Sequence, residues 1–236
     1  VSSGGSANST TVNNSGHQYV SGGSATNTTV NGGGAQIIYS GGSATLTTVN
    51  SGGGQVINEG GVATDTAINS VGYQYVSSGG SANSTTVNNS GHQYVSGGSA
   101  TNTTVNSGGF QFVAIGGSAT DTTVNGGTQY IHSGGSATQT TVNNGGHQYV
   151  YDGSATNTTV NNGGEQIIYS GGSVTDTTVN GGAQYISSGG SATQTIINNG
   201  GQQNVFAGGS ATLTTVNGGG LQNVSSGGSV TDTTVN

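Results

Sequence analysis

One pattern recurs through this chain every 18 or 19 residues. Its marker is a residue pair ahead of Ser-Ala-Thr. The first member falls at positions 4, 22, 41, 60, 79, 97, 116, 134, 152, 171, 189, 208 and 227, and it is glycine everywhere except Asp152. One period reads approximately GGSATxTTVN, then xGGxQxVxS. A unit this short buries no core alone and is stable only when stacked on copies of itself. Residues 1–31 are identical to residues 76–106, four periods on, which is the mark of block duplication.

Length varies at only two places in the period. The turn after Val-Asn is shortened before Gln129 and Gln184, and the turn after QxV is shortened before Gly22, Gly97 and Asp152. From the first turn glycine to the next Val or Ile the distance is always eight residues. Rigid strands joined by elastic turns are what a stacked sheet requires, because a slip within a strand flips every side chain to the other face. Identical side chains at one period stack only if successive turns run parallel. The expected fold is therefore all-β: a right-handed parallel β-helix of about 13 coils of 18–19 residues, residues 1–236 forming one repeat domain. The hand follows the crossover rule for parallel strands. At about 4.8 Å per rung the rod is roughly 60 Å long.

Alternation along each strand assigns the faces. In Ser24–Val30 the little-changing set Thr26, Thr28 and Val30 is expected inside, and the variable position of Asn27 outside. In the second strand Gln18 and Val20 are expected inside and His17 and Tyr19 outside. Val12, Val30, Val49 and their equivalents form one core column, and Val20, Ile38, Ile57 and theirs a second. An Asn follows the first-strand Val or Ile in every coil, so a ladder of paired amides is expected at that corner. The Gln column is expected to do the same at another corner.

Composition excludes several function classes. The chain has no Lys or Arg and a net charge of −7. It lacks the groups that contact nucleic-acid phosphates or anionic lipid. No apolar run of about 18 residues is present, so no direct membrane insertion is expected. Only the coil from 152 to 170 holds two carboxylates, Asp152 and Glu165, and they stand in different halves of it, so the acidic clusters of β-helical lyases and hydrolases are missing and no enzyme is expected. No cofactor or metal is expected either. His17, His92 and His147 share one column but lie coils apart, and His132 sits in another turn. Asp65, Asp121, Asp176 and Asp232 in GGxxTDT are read as solvated charges and not as a calcium repeat. No apolar surface patch is evident.

In this register SGGSATxTTVNxGGxQxV resembles the repeats of AIDA-type autotransporter adhesin passengers, the self-associating and often heptosylated adhesins of Gram-negative bacteria. The likeness runs through every coil. It implies a β-helix on the bacterial cell surface, anchored through an outer-membrane barrel outside this chain, which makes the chain a piece of passenger. It implies adhesion, autoaggregation and biofilm formation, with like passengers and the host cell surface as partners. It also implies that a dedicated heptosyltransferase uses the chain as its acceptor substrate.

Two serine columns are the candidate acceptors. The first choice precedes the second turn's glycine pair: Ser3, Ser21, Ser40, Ser78, Ser96, Ser133, Ser170, Ser188 and Ser226. The second choice follows it: Ser6, Ser24, Ser43, Ser81, Ser99, Ser118, Ser136, Ser154, Ser173, Ser191, Ser210 and Ser229. Thr never takes either place. A glycine-flanked turn exposes a hydroxyl and lets another molecule approach the backbone. The bland reading is that Ser satisfies turn backbone. The second column shares parity with the inward Thr, so the first is expected to be the more exposed. Tyr19, Tyr75, Tyr94, Phe112, Tyr130, Tyr149 and Tyr185 form one outward aromatic column, read mainly as shielding for a thin sheet. An unglycosylated structural solenoid and an ice-binding solenoid, the latter from the Thr11, Thr29, Thr48 column, are the alternatives.

Overall fold

The computed structural model describes residues 1–236. Every strand-to-strand pairing joins a residue to its counterpart one period on, in parallel: Gln18 lies opposite Gln36 and Val20 opposite Ile38, and Ala25 opposite Ala44. The result is the parallel β-solenoid that the repeat demands. The QxV strands stack into one 12-stranded sheet, while the first halves of the coils form a 23-stranded assembly. The latter count reflects a corner. In most coils the first half is two strands, such as Ser24–Thr26 and Thr29–Val30. Only Ser43–Val49, Val62–Ile68 and Ser81–Val87 run through as single strands.

The corner corrects the expected facing. The residue at the Asn27 position has φ between 53° and 58° in all thirteen coils, the left-handed region. A left-handed residue inside an extended run breaks the two-residue alternation. Ala25 is therefore inside at 1% exposure, and Thr26 is outside and half-buried. Past the corner the expectation holds again, with Thr28 and Val30 inside.

The core is three columns deep. Ala25, Ala44 and Ala63 pack against Val20, Ile38 and Ile57. Ala lets the two strands approach closely enough for one layer of β-branched side chains to fill the space. Ile68, Val87, Val105 and Val124 exemplify the other apolar column. Between them runs a polar spine. Each Gln Nε2 donates to the Gln Oε1 one coil earlier at 2.6–2.8 Å, without a break from Gln18 to Gln222. The same Oε1 accepts from a Thr hydroxyl, as in Thr28 to Gln18 at 3.2 Å and Thr47 to Gln36 at 3.1 Å. No buried side-chain polar atom is left without a partner. The Gln amides thus sit mid-strand in the core and not at the corner expected for them. Buried polar groups are tolerated because the stack satisfies each of them.

The Asn ladder does stand at the turn after the Val column. Asn31 donates to Asn13 at 2.7 Å and Asn50 to Asn31 at 2.8 Å. It skips two steps, Asn106 to Asn125 and Asn161 to Asn180. Those are the two coils whose turn is one residue short. There the chain makes isolated bridges instead, Asn106 with Gly126 and Asn161 with Gly181.

One turn carries strain that can be relieved. Asn69–Gly72 is closed by a 2.7 Å backbone bond from Gly72 N–H to the Asn69 carbonyl. Its third residue is Val71, with φ 59° and 56% exposure. A β-branched residue in the left-handed region costs about 1–3 kcal/mol, and most other coils use glycine there. Val71→Gly is expected to raise stability by about 1 kcal/mol after the unfolded-state entropy of glycine is subtracted. The melting temperature should rise by about 2–4 °C. A fall in a thermal melt would show that the turn is not strained.

Candidate functional site

The turn serines are built by their backbone. Ser3, Ser40, Ser78, Ser133, Ser170, Ser188 and Ser226 take the second place of a four-residue turn closed by a 2.8–2.9 Å bond between the fourth N–H and the first carbonyl. The third place is a glycine with φ between 70° and 82°. That combination is a type II turn, in which the third residue must be left-handed and the second points its side chain away. Ser21 and Ser96 lie in the shortened turns, which lack this bond. All nine serines are exposed.

The second column differs from expectation. Because alternation breaks at the corner, these serines share the outward side with Thr26. Ser6, Ser154, Ser173 and Ser229 are exposed, the other eight are half-buried, and none is buried. Both columns therefore present hydroxyls, the first more fully.

All aromatic rings lie on the outer face of the 12-stranded sheet, a concentration that reading a single column missed. The signal was present in the sequence: each Tyr, Phe and His occupies a place of outward parity around QxV. Tyr75, Tyr94, Phe112, Tyr130 and Tyr149 form a continuous stack with centroids 4.6–5.2 Å apart and planes within 10–19° of parallel. A second stack runs His132, Tyr151, Tyr169 at 5.5 and 4.4 Å. The expectation of no apolar patch therefore fails. Each ring within a stack is covered above and below by neighbours, so the stripe presents edges and phenol hydroxyls and not open ring faces. This geometry suits shielding, worth about 0.5–1.5 kcal/mol per pair. It does not suit flat stacking on a sugar.

Burial, followed by the neighbouring Tyr169 hydroxyl, pushes Tyr151 from the usual 10.0 up to about 12. Burial also raises Tyr94, Tyr149 and Tyr185. A folded-state value above the unfolded one gives stability that is complete below pH about 10 and is lost as pH climbs toward about 12. Tyr151→Phe is expected to shrink that alkaline loss in thermal melts across this window. An undiminished loss in the variant would refute the assignment to Tyr151.

The other titratable groups do not converge. His147 Nε2 lies 3.3 Å from Glu165 Oε2 in the next coil, a pairing across rungs that inspection within a coil could not find. The four Asp of the TDT motifs each occupy the left-handed corner. The largest surface depression is an open groove lined by Asn157, Asp176, Thr178, Gln194, Ile196 and Leu213, among others, with Asp176 its one titratable group. No helix is long and apolar enough to cross a membrane.

Residues 40–91, 88–146, 146–201 and 182–236 each match the family described as AIDA, adhesin of bacterial autotransporter system, probable stalk. The chain belongs to this family. Its coils are thus those of an AIDA adhesin stalk, a passenger segment of the bacterial cell surface. The crystal structure of a TibA fragment, residues 55–350, hyper-glycosylated under catalysis by TibC, is 46% identical. That match covers 98% of this chain and 97% of the fragment with a TM-score of 0.79. HetL, a pentapeptide-repeat protein of the cyanobacterium Nostoc, aligns over 81% of this chain and 86% of its own at 8% identity and a TM-score of 0.25, too low to carry an argument. A search of the curated proteins gives no match.

Proposed function

We propose that this AIDA stalk is heptosylated on its turn serines by a glycosyltransferase of the TibC kind. We read it as one continuous stretch of passenger, held outside the cell by an outer-membrane barrel in another part of the full protein. Its partners are like passengers on neighbouring cells and the host cell surface. The observation that carries the reading is the first serine column. Nine exposed hydroxyls stand in glycine turns, on a chain nearly half identical to one that TibC glycosylates. Among the strand hydroxyls Thr28 is buried and Thr26 and Thr29 are half-buried, so the fully exposed turn hydroxyls are the ones a transferase reaches most freely. Nine of the thirteen coils offer the same acceptor, which suits many repeated modifications better than one catalytic centre.

The test is intact mass spectrometry of the chain produced with and without TibC. The expected result is a series of additions, each of one heptose residue, only when the transferase is present. An unmodified mass in both samples would sink the proposal. Cells displaying the complete passenger should also clump, and cells displaying a passenger without these coils should not.

A further inference from the structure

The turn after the Asn ladder holds serines that belong to neither of the two serine columns. Ser51 and Ser107 stand in Asn-Ser-Gly-Gly turns. Each turn is closed by a 2.8 Å backbone bond, Gly53 N–H to the Asn50 carbonyl and Gly109 N–H to the Asn106 carbonyl. The glycines that follow them, Gly52 and Gly108, have φ of 71° and 72°. Ser40 has the same setting: Gly42 N–H donates to the Tyr39 carbonyl at 2.8 Å, and Gly41 has φ 70°. All three serines are exposed. The two settings share both the local sequence Ser-Gly-Gly and the type II turn, so a catalyst reading either feature meets the same substrate at both corners.

We propose that Ser51 and Ser107 are further glycan acceptors, modified by the transferase that modifies the first column. This rests on the reading of turn serines given above. In the transfer, serine Oγ bonds to the anomeric carbon of a nucleotide-activated heptose. The bond from that carbon to the donor phosphate breaks, and the nucleoside diphosphate leaves with the electron pair. The hydroxyl proton passes to a base of the transferase or to water. The two kinds of turn flank the QxV strand on either side. Sugars on both therefore line both margins of the aromatic face.

The same corner supplies its own controls. Ser15 and Ser90 occupy the next place in the turn, with φ of 65° and 57°, and a single glycine follows each. Ser70 shares the closed turn but is followed by Val71 and so lacks the Ser-Gly-Gly sequence.

The experiment is site-localised mass spectrometry of the full chain produced with TibC. The chain contains no Lys or Arg, so it is cut with a protease specific for aromatic or acidic residues. Heptose is expected on Ser51 and Ser107 as on Ser40, with Ser15 and Ser90 bare. The double variant Ser51→Ala/Ser107→Ala should lose two heptose additions from its fully modified intact mass. Modified Ser40 with bare Ser51 and Ser107 would overturn this inference and leave the first column standing. Equal modification of Ser15 and Ser51 would show that the Ser-Gly-Gly turn is not what is read, and would also overturn it. Bare serines throughout would remove the underlying reading together with this one.

Discussion

Gln93→Ala is expected to lower the melting temperature on the order of 10 °C, while Gln222→Ala lowers it by much less. Gln93 Oε1 accepts from Gln111 Nε2 at 2.8 Å and from the Thr103 hydroxyl at 3.3 Å. Its own Nε2 donates to Gln74 Oε1 at 2.7 Å. Truncation leaves a buried amide nitrogen and a buried hydroxyl without acceptors. Each orphaned group costs about 1–3 kcal/mol, and the space left by the side chain adds a cavity term. A loss of about 4 kcal/mol follows, with about 2–4 °C per kcal/mol in a chain of this size. Gln222 is only partly buried, and water replaces what its removal takes away. Paired melts of the two variants check this. Equal, small shifts would mean that the polar spine is incidental to stability.

The second large effect separates the two glycines of one turn. Gly117→Ala should lower stability by about 3 kcal/mol or more, and Gly116→Ala by about 1 kcal/mol. A Cβ on Gly117 would lie 2.2 Å from the carbonyl oxygen of Val95 in the coil below and 2.8 Å from its carbon. Those are backbone atoms held in the sheet, so relief requires rungs to part from their spacing of about 4.8 Å. Gly116 has open space, its nearest atom being 3.9 Å away, and what it requires is a φ of 76°. Thus the first glycine of the pair serves conformation and the second serves close stacking. Thermal melts of the two single variants test the order, and a milder Gly117→Ala would refute it.

Most of the fold was legible because the period is exact in register. The Val and Ile columns, the outward His17 and Tyr19 places and the Asn ladder all follow from aligning coils. Where the Asn ladder skips also coincides with the two short turns visible in the sequence. The facing of Ala25, Thr26 and Ser24 was misread because alternation was carried straight through position 27. A clue was there. That position is Asn, Asp or Ser in most coils, the residues that best tolerate a left-handed backbone. The Leu46, Leu213 and Gln139 counterparts disguised it as merely variable. The His147–Glu165 pair was hidden for another reason. It forms between neighbouring coils, and only stacking brings its members together.

The Gln spine has one direction: every amide donates toward the preceding coil and accepts from the following one. A cut between any two coils therefore leaves one surface offering an amide hydrogen and another offering an amide oxygen, and any two such surfaces fit. A duplicated block of coils needs no new interface to be accommodated. The 31-residue identity four coils apart shows that a stretch of coils has been copied. Every four coils added extend the rod by about 19 Å. For an adhesin, the distance between its tip and the cell can thus change by recombination alone, without one residue being redesigned.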